Sequence, residues 1–182
     1  MGNREKRVKL DSVHMLLAFQ RVSHEGKHDC IRMVDRGKGD EVDVLTSKLK
    51  VLGGNWRIHR TVNARCVNKA MKILQHKLID HQECASYIDT EWRTALLQKN
   101  CIYGEKKFML DIDTDDGVKI EIIEEMIYRN NGEIYEKHKS PKGWHYITNT
   151  FDTREVCSID DVTLLRDGYY YITSVSEDKN YA

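Results

Sequence analysis

Apolar residues along this chain fall into two spacings, every second residue and every third or fourth, and the switches between them outline its elements. "SVHMLLAFQRVS" and "DCIRMVDRG" read as strands joined by the turn-rich "HEGKH". "DEVDVLTSKLKVLGG" changes period: Val42, Val44, Leu45, Leu49 and Leu52, closed by Gly53 and Gly54, predict a helix. "NWRIHRTVN" alternates and predicts a strand. "ARCVNKAMKILQHKLIDHQ" puts Val67, Ala70, Met71, Leu74, Leu78 and Ile79 on one face of an amphipathic helix. "DTEWRTALLQKN" predicts a second helix, capped by Asp89 or Thr90. After the short strand of "KKFMLDI", "DDGVKIEIIEEMIYRNNG" predicts a helix with Ile120, Ile123 and Ile127 inward and Asn131-Gly132 as its stop. "EIYEKHKSPKGWHYITNTF" reads as two strands around a loop at Ser140 to Gly143, and "DVTLLRDGYYYITSVS" as a hairpin turning at Arg166-Asp167-Gly168. The sum is an α+β fold with a mainly antiparallel sheet, spanning residues 11–182 as one domain behind a basic, flexible arm at residues 1–10.

Composition narrows the class. The 182 residues suit one domain with a sizeable core. Charged residues make up 32%, mean hydropathy is -0.62, and no apolar run reaches transmembrane length, which predicts a cytoplasmic protein with no membrane partner. The net charge is zero, so no overall basic bias points to nucleic acid, although a local basic patch stays open. The basic start lacks the apolar stretch of a secretory signal, and Lys6 stands where a myristoylation site takes Ser or Thr. Five scattered cysteines without a C-x-x-C pair fit a reducing compartment.

The densest chemistry is in "KKFMLDIDTDD", where an apolar strand ends in Asp111, Asp113, Asp115 and Asp116. Residues two apart on a strand share a face, so Asp111 and Asp113 lie together about 7 Å apart at the backbone, opposite Phe108, Leu110 and Ile112. Two such carboxylates suit Mg2+ or Mn2+. Asp115 and Asp116 open the next helix, where capping and the helix dipole favour acids. A D-x-D is short and common, and a solvated strand end explains it equally well. A second motif adds weight. In "KSPKGWHYIT", Lys139 and Lys142 suit phosphate oxygens, Gly143 permits close backbone approach, and His145 is a strand-borne donor.

In this order and spacing, "FMLDIDTDD" followed by a helix, a strand and "SPKGWHYI" resembles the catalytic core of the archaeo-eukaryotic primase superfamily, over residues 106–172. The resemblance implies an RRM-like catalytic core flanked by helices and a two-metal nucleotidyl transfer. It implies Asp111, Asp113 and a third acid as ligands of Mg2+ or Mn2+. Asp167 is the choice for the third, with Asp160 or Asp161 as substitutes. His145 would contact the phosphates of an incoming nucleoside triphosphate, with Ser140, Lys142 and Gly143 positioning them. Arg57, Arg60 and Arg65 offer contacts to a single-stranded DNA or RNA template, and other replication proteins become natural partners. A compact chain of this kind suits a phage or mobile element.

Other readings compete. A phosphatase of the haloacid dehalogenase type also places its nucleophile at a strand end, but Asp115 stands where that motif takes Thr or Val. A catalytically silent nucleic-acid-binding relative in a replication or antiviral complex would keep the fold and lose the third acid. A D-x-D glycosyltransferase normally needs a longer chain. His76, His81 and Cys84 lack the spacing and the fourth ligand of a zinc site. Trp56, Trp92 and Tyr169 to Tyr171 could stack bases, yet suit a core or strand face better.

Overall fold

The computed structural model describes residues 10–20 and 29–176; the arm at 1–9, the "HEGKH" turn and residues 177–182 lie outside the described residues. Strands β1 (Ser12–Gln20) and β2 (Cys30–Asp35) lead to helix α1 (Glu41–Leu52), strand β3 (Trp56–Thr61) and the two-residue β4 (Arg65–Cys66). Helices α2 (Val67–Asp80) and α3 (Ile88–Leu96) follow. Then come β5 (Phe108–Ile112), α4 (Gly117–Arg129), β6 (Ile134–Lys139), β7 (Trp144–Thr148), β8 (Val162–Leu165) and β9 (Tyr169–Val175). The fold is α+β, and its strands form two antiparallel sheets rather than one.

The first sheet runs β2-β1-β3-β9, with β4 also pairing with β1. Helices cover both of its faces. Val13, Met15 and Leu17 of β1 pack towards α2 and α3, while Leu16 and Ala18 pack towards Leu45 and Leu49 of α1. Burial on both sides explains the unbroken apolar run "MLLA". On α2, Ala70 and Leu74 are buried, but Met71 and Ile79 are 42% and 75% exposed, so the apolar stripe is narrower than the sequence predicts. Asp89 and Thr90 sit inside the first turn of α3, and Tyr87 takes the cap position without a side-chain bond.

The second sheet runs β6-β7-β5-β8. The unit β5–α4–β6 with β7 inserted antiparallel between the two strands is a split βαβ arrangement. Only a single 3-10 turn, Val156–Ser158, lies between β7 and β8. Leu110 and Ile112 of β5 bury one face against Ile123 and Ile127 of α4, each contributing roughly 1.5–3 kcal/mol. Tyr146 Oη donates to Glu124 and ties α4 to β7. Helix α4 starts where Asp116 accepts the Val118 N–H at 3.0 Å, and it stops at Asn131, whose φ is 61°. The opposite face of the second sheet carries Met109 and Ile147, which meet Val62 and Tyr170 and join the two sheets.

One predicted pairing fails. β8 and β9 are not a hairpin: β8 pairs with β5 in the second sheet and β9 with β3 in the first. Asp167 is bonded to Arg65 and Asn63, and the Gly168 carbonyl accepts the Val62 N–H at 3.1 Å. These bonds hold the turn against the β3–β4 loop and send the chain to the other sheet.

The turn between β6 and β7 is locked onto the end of β5. Ser140 Oγ accepts the Gly143 N–H at 3.1 Å, and Ser140 N–H donates to the Gly143 carbonyl at 2.9 Å. A Cβ on Gly143 would sit 2.0 Å from the Ile112 carbonyl oxygen and 2.7 Å from Thr114 N. The glycine therefore serves the approach of two protein backbones, where the sequence suggested approach to a ligand. Gly143→Ala should destabilise the fold by about 3 kcal/mol or more in denaturant unfolding, because backbone at this site must shift. Gly117→Ala, which points into open space, should stay within about 0.5 kcal/mol. Equal effects of the two would refute the docking argument.

Candidate active site

Strand pairing sets the first element of the site. Asp111 lies directly opposite His145 on β7 and opposite Thr163 on β8, and His145 lies opposite His138 on β6. Side chains in one cross-strand row share a face, so Asp111 and His145 point towards the first sheet. His145 Nε2 lies 3.2 Å from Asp111 Oδ1, and its side chain is only 9% exposed. The Tyr171 main-chain N–H donates to His145 Nδ1 at 3.0 Å. An N–H can only donate, so Nδ1 is the acceptor and the neutral tautomer carries its proton on Nε2, facing Asp111.

The first sheet supplies the opposite wall. β3 and β9 change register between Ile58 and His59, so Tyr171 faces His59 and Thr173 faces Ile58, with Ile172 as the extra residue. Arg57 and His59 share a strand face. With Asp111, Asp113, Ser140, Lys142, His145 and Tyr171 they line a cleft of about 230 Å³ between the sheets. Burial holds the His59 imidazole below the usual histidine value, outweighing a hydrogen bond with the Arg57 main chain that raises it.

The structure brings together Asp111, Asp113, His145, Ser140, Lys142 and Arg57, and holds the remaining expected residues elsewhere. Asp167 makes a two-pronged ion pair, accepting from Arg65 Nη1 at 3.1 Å and Nη2 at 2.8 Å, and it also accepts from Asn63 at 3.2 Å. Arg65 is 1% exposed, so this pair anchors the fold; Asp167 is taken from metal binding and Arg65 from nucleic acid. Arg60 pairs with the buried Asp35 at 2.6 Å and approaches Tyr170 Oη, away from the acidic cleft. Asp161 pairs with Lys119 at 2.7 Å, although its carbonyl accepts the Asp113 N–H. Asp160 is exposed. Lys139 pairs with Asp115 and lies over the Trp144 ring. His59 and Tyr171 are site residues that the sequence reading missed. Strand alternation from Arg57 reaches His59, but nothing local shows which sheet face meets the acidic strand.

Among the described residues, no group of three or more His, Cys, Asp or Glu side chains is arranged to hold a metal ion. The position across β5–β8 from Asp111 is Thr163, which is not an acid. A three-carboxylate set therefore does not fit. Asp111 and Asp113 line one cleft, and a pair of carboxylates could hold Mg2+ or Mn2+ only with further oxygen ligands from outside the protein. Comparison of the chain with family models, curated proteins and solved structures finds no match.

Two measurements check this account. Asp167→Ala strands a buried guanidinium and should lower stability by about 3–5 kcal/mol, whereas Asp160→Ala should change it by less than about 0.5 kcal/mol. A small loss at Asp167 would reopen it as a ligand. The second concerns pH. His14 and His59 both have values lowered by burial, so the unfolded chain binds their protons first. Stability from these two is complete above about pH 6.5 and falls as the pH drops below it. The thermal midpoint should decline from pH 7.5 to 5.5, and His14→Gln with His59→Gln should flatten that decline. An unchanged slope in the double variant would reject this assignment.

Proposed function

We propose that this protein is a small primase- or polymerase-like enzyme that performs divalent-metal-dependent nucleotidyl transfer on a nucleic-acid strand. One observation carries the reading: two strand-end carboxylates, an oriented histidine and the cations Arg57 and Lys142 line a single cleft. The split βαβ order supports an RRM-like catalytic core. Asp111 and Asp113 would hold Mg2+ or Mn2+, which would supply a lowered pKa for the attacking hydroxyl and a charge to offset the phosphates. His145 offers its one Nε2–H to Asp111 or, in exchange, to a phosphate oxygen of the nucleoside triphosphate. Arg57 and Lys142 oppose the triphosphate charge. Ser140 and Gly143 act through the turn, fixing Lys142 and His145 relative to Asp113. The strand oxygen attacks the α-phosphorus, the α–β phosphoanhydride bond breaks, and pyrophosphate leaves. Five unpaired cysteine thiols support a cytoplasmic setting, and among the described residues no helix is long and apolar enough to cross a membrane.

A second reading is favoured by the ion pair at Asp167 and by Thr163: a catalytically silent nucleic-acid-binding relative within a replication or antiviral complex. The phosphatase alternative gains no support, since β5 lies between two antiparallel neighbours and not in a parallel run.

Incubation with primed and unprimed single-stranded template, labelled nucleotides and Mn2+ should yield extended product. Asp111→Asn with Asp113→Asn should abolish incorporation, at least about 100-fold, with an unchanged thermal midpoint. Full activity in that double variant would remove the two acids from the site. No product under any metal or nucleotide, with strand binding retained, would favour the silent relative.

A further inference from the structure

With Arg60 and Arg65 committed to Asp35 and Asp167, a strand must find its cations elsewhere. A groove of about 400 Å³ runs along β2, the end strand of the first sheet, between α1 and α3. Arg32, Arg36, Lys48 and Arg93 line it, with Trp92 among its apolar residues. None of these four cations belongs to an ion pair among the described residues. Two acids stand beside them. The Glu41 carboxylate accepts the main-chain N–H groups of Arg36, at 3.0 Å, and Gly39, at 3.1 Å, and stays charged, so Glu41 and Asp89 together offset only two of the four cations. The groove is thus locally basic in a chain of zero net charge.

Glu41 lines both the groove and a neighbouring cleft of about 640 Å³ that contains Arg60, His138 and Lys139. Arg60 and Tyr170 put that cleft on the α1 face of the first sheet, whereas His59 and Tyr171 of the acidic cleft alternate to the other face.

We propose that a single nucleic-acid strand lies in this groove, its phosphates on Arg32, Arg36, Lys48 and Arg93. Three of the four cations are arginines, whose planar forks match phosphate oxygens. Trp92 adds an aromatic surface beside them, as strand-binding grooves use. An acidic peptide would satisfy the charges but has no planar base to lay on the Trp92 ring. The proposal rests on the nucleotidyl-transfer reading for the choice of a nucleic-acid strand, and its binding is tested without that reaction.

The experiment measures anisotropy of labelled oligo(dT) and oligo(rU) in EDTA, without nucleotide, over a salt series. Wild-type binding should weaken with salt. Arg32→Ala, Lys48→Ala and Arg93→Ala together should weaken binding about 10- to 100-fold and lower the log–log salt slope by about 2. Lys48→Glu alone should weaken it as well, and the thermal midpoints of these exposed-site variants report folding. Wild-type affinity in the triple variant, no oligonucleotide binding by the wild type, or binding of polyglutamate instead would overturn the proposal. Loss of binding in the triple variant, with no extension by the wild type, leaves the groove standing and removes the transfer reaction. Extension by both proteins at equal affinity does the reverse.

Discussion

The Tyr171 main-chain N–H reaches across from the first sheet to His145 Nδ1 on the second, and the geometry of the acidic cleft follows from that bond. The register shift between β3 and β9 sets the backbone at Tyr171 beside the site. With Nδ1 occupied, the ring has one nitrogen left for the cleft, and that nitrogen faces Asp111. The histidine is thereby held from both sides by different sheets. A carboxylate beside an oriented donor is a more defined object than a D-x-D on an exposed strand end.

A second constraint keeps the sheets in place around this contact. Arg65 is almost wholly buried, and such a guanidinium is tolerated only when its charge and donors are met. Asp167 meets the charge and both terminal nitrogens, leaving Nε without a partner among the described residues, and so fixes the turn that carries the chain out of the second sheet and into the first. The same bond removes the acid that would have completed a three-carboxylate metal site. Stability of the junction and a third ligand compete for one side chain, and in this molecule the junction holds it.

Much of the architecture was legible in the sequence because its two hydrophobic periods are clean. The helices α1, α2 and α4, the acidic strand and the Ser140–Gly143 turn all follow from local pattern and stop signals. Partnering was not legible. "LLRDGYYYI" looks like a hairpin because turn chemistry is local, whereas the destination of β9 is set by Arg65, a hundred residues earlier. An aspartate in a turn reads the same whether it meets a metal or a buried arginine. Met71 and Ile79 show a similar limit: periodicity names a face, but the width of the neighbouring surface decides how much of it is covered. Asp111 and His145 were identifiable because each sits on a strand with a clear alternation, and Asp113 follows β5 by one residue. His59 was not, since its role depends on how two sheets meet.

The exit of β9 from the second sheet has a consequence for how the chain is made. Strand β3 leaves the ribosome early, yet one of its two neighbours in the sheet is β9, at the far end of the described chain, with Trp56 opposite Val175. Until that last strand emerges, β3 presents an unpaired edge, and α1 covers a sheet that lacks its final member. Pairings over such separations are slow to form and leave nascent edges open to other chains. The second sheet, by contrast, draws all four strands from consecutive sequence and can close first. The pairing pattern thus favours a second sheet that closes before β9 pairs with β3 and joins the two.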